Sequence, residues 1–253
     1  MRGADGVPAG FVRITAGRNV VVAREEHVED ARRMLERGTL YESAMRDPAA
    51  RPMEGRGIAY AVPLPMTRTR AVVRHNRHGG LLAPLTRDLF LPPTRAPREL
   101  EISLRLRGAE IATPEMLMYG TSPAAFPFLR ADVVTREIEH GRDLATFMSP
   151  GRPAEERGAA WSATRDLLRT MRDAGVRHHD LNVKNVLLAP AVWGLEAFLL
   201  DVDRVTFHAR GDARVAAANV ARLLRSARKW RDERGAAFDE NELSVQGRLE
   251  GAA

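Results

Sequence analysis

The chain has 253 residues, 44% of them hydrophobic, which is enough to bury a core in one two-lobed unit or two small domains. It contains no cysteine, so disulfides and thiolate metal sites are excluded and a reducing compartment is permitted. The formal charge is +6, and of 39 Lys+Arg only Lys184 and Lys229 are lysine, so any role that needs a cation before residue 184 falls to arginine or histidine.

Residues 11–24, FVRITAGRNVVVAR, alternate and bend at Ala16-Gly17, which predicts a hairpin. Residues 25–37 carry Val28, Ala31, Met34 and Leu35 at helical spacing and stop at Gly38. Residues 39–53 read as loop with a short helix. In EGRGIAYAVPL, 54–64, Gly55 and Gly57 precede an alternating run. A turn over phosphates and a plain hairpin turn both fit. Arg70 to His75 reads as a strand that ends in charge and runs into Arg77, His78, Gly79 and Gly80. This is either a solvated basic loop or an anion clamp, where glycines let the backbone approach a ligand. Leu100, Ile102, Leu104 and Leu106 alternate as in a strand, but Thr94 as cap, Pro97 in the first turn and Gly108 at the end favour a helix. Glu99 on that helix either pairs with Arg74 or lies on the surface.

Residues 111–120 predict a strand entering a second hairpin, and 131–138 a strand that turns polar at Thr135, Arg136 and Glu137. A long helix is expected over 153–174, with Pro153 at its start, Gly175 at its end, and Trp161, Thr164, Leu168 and Met171 on one stripe. Two apolar strands, 186–189 and 197–200, bracket a turn. A last helix runs from about 212 to 231, with Val215, Ala218, Leu223 and Leu224 inward and Arg222, Arg225 and Arg228 outward. The tail after Gly235 is expected to be less ordered. The first ten residues, MRGADGVPAG, lack the apolar core of a signal peptide. The longest apolar stretch, Val186 to Leu200, is interrupted by Pro190, Gly194 and Glu196, and a bilayer span needs about 20 apolar residues. A soluble or peripheral protein is therefore expected.

The most specific signal is HHDLNVKN at 178–185 followed by LLDVDR at 199–204. Asp180 lies five residues before Asn185, and Asp201 follows sixteen residues later at the end of an apolar run. Kinases use that order: a base for the attacking hydroxyl, then two oxygen ligands for Mg²⁺. Phosphoryl transfer passes through a loose transition state, so catalysis is mostly positioning and charge neutralisation. Asp180 would accept the hydroxyl proton; Asn185 and Asp201 would offer hard oxygens to the ion. An ordinary polar turn explains either half alone but not the pair. In such an enzyme the chain would cross between lobes after strand 131–138, and the backbone at Glu137 and Ile138 would meet adenine. The long peptide-binding segment of protein kinases, ending in A-P-E, has no counterpart, because VDRVTFHARGD leads straight into the last helix. That favours a small acceptor.

VVRHNRHGGLL at 72–82, RELEISLRL at 98–106, HHDLNVKNVLL at 178–188, LLDVDR at 199–204 and, more weakly, NVARLLRS at 219–226 together resemble the Kdo (3-deoxy-D-manno-octulosonic acid) kinase branch of the bacterial lipopolysaccharide kinases. The resemblance implies an α+β, two-lobed, protein-kinase-like fold. An amino lobe (1–135) would hold a five-stranded antiparallel sheet and one key helix, and a mainly helical carboxyl lobe (136–253) the catalytic loop. It implies transfer of the γ-phosphate of ATP to the 4-hydroxyl of a Kdo residue in the lipid A-linked inner core, with ATP and Mg²⁺ as cofactors. By position, Asp180 would be the base, and Asn185 and Asp201 the metal ligands. Gly55 and Gly57 would form the glycine loop, Arg74 would stand at the end of the third strand, and Glu99 would be the helix glutamate. His75, Arg77, His78 and Arg204 are candidates for the acceptor. Asn76 departs from an expected aromatic residue, and 83–97 is richer in proline than the family pattern.

A cytoplasmic protein, peripheral on the inner membrane of a Gram-negative-type bacterium, is expected. Clustered basic residues near an anionic membrane surface contribute about 1 kcal/mol each. No nucleic-acid partner is expected, since exposed aromatics are few and a nucleic-acid motif is absent, and no protein partner is predicted. The competing readings are a core heptose kinase, an aminoglycoside-type phosphotransferase, whose acceptors are cationic, and a pseudokinase.

Overall fold

The computed structural model describes residues 6–53, 57–76 and 89–238. These divide into two compact units. One comprises residues up to Glu101 together with Glu115–Glu137; the other comprises Ile102–Pro114 and the chain from Ile138 onward.

The first unit is built on a seven-stranded antiparallel sheet in the order β1-β2-β6-β7-β5-β4-β3. The strands are β1 (Phe11–Ala16), β2 (Asn19–Arg24), β3 (Arg51–Met53), β4 (Ala59–Pro63), β5 (Arg70–His75), β6 (Met116–Pro123) and β7 (Leu129–Arg136). Five of them, β3 to β7, answer to the five-stranded expectation. The predicted hairpin at 11–24 joins the same sheet, because β2 pairs with β6 from Val20↔Thr121 to Ala23↔Met118. Val21, Val22 and Ala23 are buried there, so the apolar run that makes β2 a good strand also supplies core. β6 starts later than expected, at Met116, since Pro114 has no N–H for a ladder.

Helix α1 (Val28–Leu35) buries Ala31 and Met34, one helical face, as the sequence spacing predicts. Helix α2 (Leu40–Met45) opens with a full capping box: the Glu42 amide donates to Thr39 Oγ1 at 3.2 Å, and the Thr39 amide donates to Glu42 Oε2 at 3.1 Å. Helix α3 (Ala96–Gly108) is a helix, as Pro97 and Gly108 suggest, but Thr94 does not cap it. Thr94 is buried two residues before the first helical residue, and its Oγ1 has no partner among the described residues.

The second unit is mainly helical. Helix α4 (Leu144–Phe147) is one turn capped by Asp143. Helix α5 (Ala154–Asp173) buries Trp161, Thr164, Leu168 and Met171, the predicted stripe. Helix α6 (Ala213–Arg234) begins at Asp212, whose carboxylate accepts from the Arg214 and Val215 amides, and ends at Gly235 with φ +63°. Strands β10 (Val186–Ala191) and β11 (Gly194–Leu199) form a tighter hairpin than expected, turning at Val192 and Trp193. Strand β8 (Arg142–Asp143) pairs with β10 only at Leu187 and Leu188. Pro190 therefore extends a strand that has one partner at that point, where a missing N–H is tolerated. Two three-residue strands, β9 (Val176–His178) and β12 (Val205–Phe207), pair with each other.

The tail is packed further than expected. Ala236 and Phe238 are buried, Phe238 lies 5.8 Å from the Trp161 ring, and the Ala237 amide donates to the Met148 carbonyl at 2.7 Å. The late aromatic residue completes the core around α5, which offsets the entropy of ordering three residues.

Gly175 turns the chain from α5 into β9 with φ +66°. A Cβ there would meet the Ala209 carbonyl oxygen at 2.3 Å and that of His208 at 2.6 Å, both backbone. Gly175→Ala is expected to lower unfolding stability by about 2 kcal/mol or more, from left-handed strain plus the clash. Urea unfolding measures it, and a loss under about 0.5 kcal/mol would show that the turn yields.

Candidate active site

The site grows from one loop. His178 ends β9 and is buried. Its Nδ1 accepts from the Asp180 amide at 3.1 Å, so its Nε2 carries the proton and donates to the Leu200 carbonyl at 3.0 Å. Burial lowers the His178 pKa, against the opposing pull of the Leu200 carbonyl and the Asp201 and Asp180 charges. A neutral ring is what both hydrogen bonds need. This histidine ties the start of the loop to the residue before Asp201.

The Asp180 carbonyl is the hub of the turn. Asn182 Nδ2 and Asn185 Nδ2 each donate to it at 2.9 Å. Asn182 Oδ1 accepts from the Lys184 amide and the Asn182 carbonyl accepts from the Asn185 amide, both at 2.9 Å. The two asparagines of D-L-N-V-K-N thus close the turn on itself, as short amides do in loops. Asn185 is buried, and commitment of its Nδ2 leaves Oδ1 as the side-chain atom that could take a metal ion.

The β10–β11 hairpin brings the second half of the motif back. Val186 pairs with Leu199, and the Leu200 amide donates to the Asn185 carbonyl at 2.9 Å. The extended segment before β6 steadies the end of β11: the Leu199 amide donates to the Ala112 carbonyl at 2.8 Å, and Thr113 Oγ1 donates to the Leu199 carbonyl at 2.9 Å. Asp201 then adopts φ 58°, ψ 44°, a left-handed conformation, before a 3₁₀ turn at Val202–Arg204. A non-glycine residue held there costs about 1–3 kcal/mol and persists where its surroundings fix it. Asp180, Asn185 and Asp201 are thus brought together by backbone and amide hydrogen bonds.

Helix α6 supplies a clamp that sequence reasoning missed. Asn219 Oδ1 accepts from the His178 amide at 3.0 Å, and its Nδ2 donates to the Val176 carbonyl at 2.7 Å. Arg222 Nη2 donates to Asp180 Oδ1 in an ion pair, with the arginine side chain 43% exposed. Ser226 Oγ accepts from the Val183 amide at 3.3 Å. Arg222 is therefore exposed, as the helical stripe suggested, but it is paired with the loop rather than free in solvent. The signal was the polar spacing Asn219, Arg222, Ser226 within NVARLLRS, which puts all three on one helix face. Lys184 was also missed: its Nζ donates to Asp143 Oδ2 at 2.5 Å, while Asp143 Oδ1 caps α4 by accepting from the Thr146 amide at 2.9 Å.

Beside this loop His179 Nε2 lies 2.9 Å from Thr206 Oγ1, and the His179 amide donates to the carbonyl of exposed Arg204 at 3.0 Å. Desolvation lowers the His179 pKa, aided by the positive charges of Arg177, His208 and Arg204.

In the first unit Arg74 is held from two sides. Its Nη1 donates to Asn76 Oδ1 at 2.9 Å, and its Nη2 donates to buried Glu99 Oε1. The expected Arg74–Glu99 pair exists, and Asn76, the residue that departs from the family pattern, is the second clamp. His75 Nδ1 lies 2.6 Å from buried Asp132 Oδ1, and its ring stacks on Tyr41 at 3.6 Å. Glu137 is an ion-pair centre, 2.5 Å from Arg51 Nη2 and 3.0 Å from Arg70 Nε. Its amide donates to the Arg70 carbonyl at 2.9 Å, and the Ile138 carbonyl accepts from the Gly141 amide at 3.2 Å. Gly57 lies two residues before β4, whereas Gly55, Arg77 and His78 lie outside the described residues.

Among the described residues no group of three or more His, Cys, Asp or Glu could hold a metal ion alone. Asn185 and Asp201 nevertheless fit Mg²⁺. They are one amide oxygen and one carboxylate, the sparse hard-oxygen set this ion takes when substrate phosphates and water complete its shell.

Comparison with known proteins agrees with this chemistry. The chain is 30% identical to a 3-deoxy-D-manno-octulosonic acid kinase of Pasteurella multocida, over 68% of this chain and 72% of that protein. It is 32% identical to one of the same description from Stenotrophomonas maltophilia, over 73% and 72%. A solved structure, WaaP in complex with acyl carrier protein, aligns with a TM-score of 0.49 and 16% identity, covering 91% of this chain and 97% of that one. The model of the lipopolysaccharide kinase (Kdo/WaaP) family matches residues 44–241, and with Asp180, Asn185 and Asp201 gathered in one loop system the chain belongs to that family and is a phosphotransferase.

Proposed function

We propose that the protein transfers the γ-phosphate of ATP to the 4-hydroxyl of a Kdo residue in the lipid A-linked inner core. The observation that carries this is the assembly of Asp180, Asn185 and Asp201 by the hydrogen bonds around the Asp180 carbonyl and the Leu200–Asn185 pair. In the transfer, the sugar hydroxyl oxygen bonds to the γ-phosphorus as the bond from that phosphorus to the β–γ bridging oxygen breaks. The hydroxyl proton goes to Asp180 and ADP leaves. Asn185 and Asp201 would hold Mg²⁺, which neutralises phosphate charge. Adenine would meet the backbone at Glu137 and Ile138 through either the Glu137 carbonyl or the Ile138 amide, which point to opposite sides of one trans peptide, since the Glu137 amide and the Ile138 carbonyl are spent within the chain. Arg204 and the neighbouring Arg177 favour an anionic acceptor, whereas the Asp132 and Tyr41 contacts of His75 suit a structural role.

Among the described residues no helix is long and apolar enough to cross a membrane. Access to a lipid-linked acceptor would then come by peripheral contact with the anionic cytoplasmic face of the inner membrane. The test is ATP turnover by the purified protein with Kdo-linked lipid A against heptosylated core, with the product read by mass spectrometry. Phosphate on the Kdo 4-hydroxyl is expected; phosphate on heptose alone would overturn the reading.

Arg74 takes the part of the absent strand lysine, oriented by Glu99 and Asn76 toward ATP phosphate. Arg74→Ala is expected to raise the Michaelis constant for ATP about tenfold or more and to lower turnover, since a charge-assisted hydrogen bond is worth about 1.5–3 kcal/mol. Arg74→Lys should recover part of both, because charge returns without the fork. Weakened acceptor affinity with ATP affinity intact would assign Arg74 to the sugar instead.

A further inference from the structure

We infer that Arg222 is the residue that recognises the acceptor's carboxylate, exchanging Asp180 for the sugar acid when the acceptor arrives. This rests on the acceptor reading above. Arg222 Nη2 is paired with Asp180 Oδ1, so the candidate base is engaged by a cation. The carboxylate that Arg222 holds is the one a sugar hydroxyl must reach, so the arginine and the acceptor meet at one group.

The geometry offers the way out. The Arg222 side chain is 43% exposed and the Asp180 side chain 29%, so the pair faces solvent and a second carboxylate can reach the fork. An arginine presents five N–H donors in a rigid plane, and one carboxylate oxygen does not saturate it. The helix beneath is fixed in register. Asn219, one turn before, is bound to the His178 amide and the Val176 carbonyl, and Ser226, one turn after, is bound to the Val183 amide. The guanidinium can therefore rotate without α6 moving.

Chemistry selects the partner. An acidic sugar brings its carboxylate and its target hydroxyl on one rigid ring. Pairing the carboxylate with Arg222 brings the hydroxyl toward Asp180 and at the same moment removes the cation from the base. A neutral sugar such as heptose leaves Arg222 on Asp180. Selectivity for an acid over its neutral analogue then arises from the attractive pair that only the acid can form with Arg222.

The experiment compares Kdo-linked lipid A with its carboxyl methyl ester as acceptors, at saturating ATP, for the wild type, Arg222→Ala and Arg222→Lys. The wild type is expected to prefer the acid in kcat/KM by about tenfold to a hundredfold, the worth of a charge-assisted pair. Arg222→Ala should abolish the preference, so that acid and ester are used with equal kcat/KM. Arg222→Lys should keep part of the preference. Equal wild-type use of acid and ester overturns the assignment while leaving the acceptor reading intact, and that measurement needs no variant to fold. A parallel fall of both acceptors in Arg222→Ala makes Arg222 a positioning residue for Asp180 and overturns it too. No transfer to either acceptor overturns both readings.

Discussion

Asp201→Ala is expected to abolish Mg²⁺-dependent binding of ATP. Only two candidate ligands sit in the loop system, and they are unequal. Asn185 offers one neutral amide oxygen, oriented because its Nδ2 is spent on the Asp180 carbonyl. Asp201 offers the charge, and hard divalent ions depend on carboxylates for most of their protein affinity. The side chain is aimed by a left-handed backbone at φ 58°, fixed between the end of β11 and the 3₁₀ turn. Removing it leaves that backbone in place, and alanine is less at ease there than aspartate. Some loss of stability should therefore accompany the loss of binding. Calorimetry with Mg·ATP, and again with ATP and chelator, separates the two effects. Unchanged Mg·ATP affinity in a folded variant would show that Asp201 is not a metal ligand.

How much of this was legible in the sequence follows from how local each feature is. The loop 178–185 and the return of Asp201 were readable, because a short turn and a hairpin of fixed register leave few ways to arrange those residues. The Arg74–Glu99 pair was readable as an option, since a strand end followed by a helix start recurs in this architecture, but Asn76 as second clamp was not. Arg222 was missed for a clear reason. It lies 42 residues from Asp180, and on a helix a charged side chain is read as solvent-facing unless its partner is known. The same holds for Asn219, which stands among buried apolar residues and hydrogen-bonds a three-residue strand, β9, too short to show a period. The amino-terminal hairpin was read correctly as a hairpin, yet nothing local says that β2 pairs with β6 about a hundred residues away. Thr94 read as a cap and is not one. Phe238 read as tail and is core, because filling the gap beside Trp161 is decided by tertiary packing alone.

Asp180→Asn is expected to lower turnover by about 10²–10⁴-fold, the contribution typical of a positioned general base. The substitution changes little else. The backbone of residue 180 carries the contacts to His178, Asn182 and Asn185, and none of these uses the side chain. An asparagine oxygen can still accept from Arg222, so the α6 clamp stays closed. What disappears is proton acceptance by a carboxylate. The Michaelis constant for ATP and the melting temperature should therefore stay close to wild type while kcat falls. In a loose transition state the hydroxyl proton leaves late, so the loss is expected at the lower end of that range if Asp180 mainly orients the hydroxyl, and at the upper end if it takes the proton. A purified, folded Asp180→Asn protein with near-wild-type kcat would remove Asp180 from both roles.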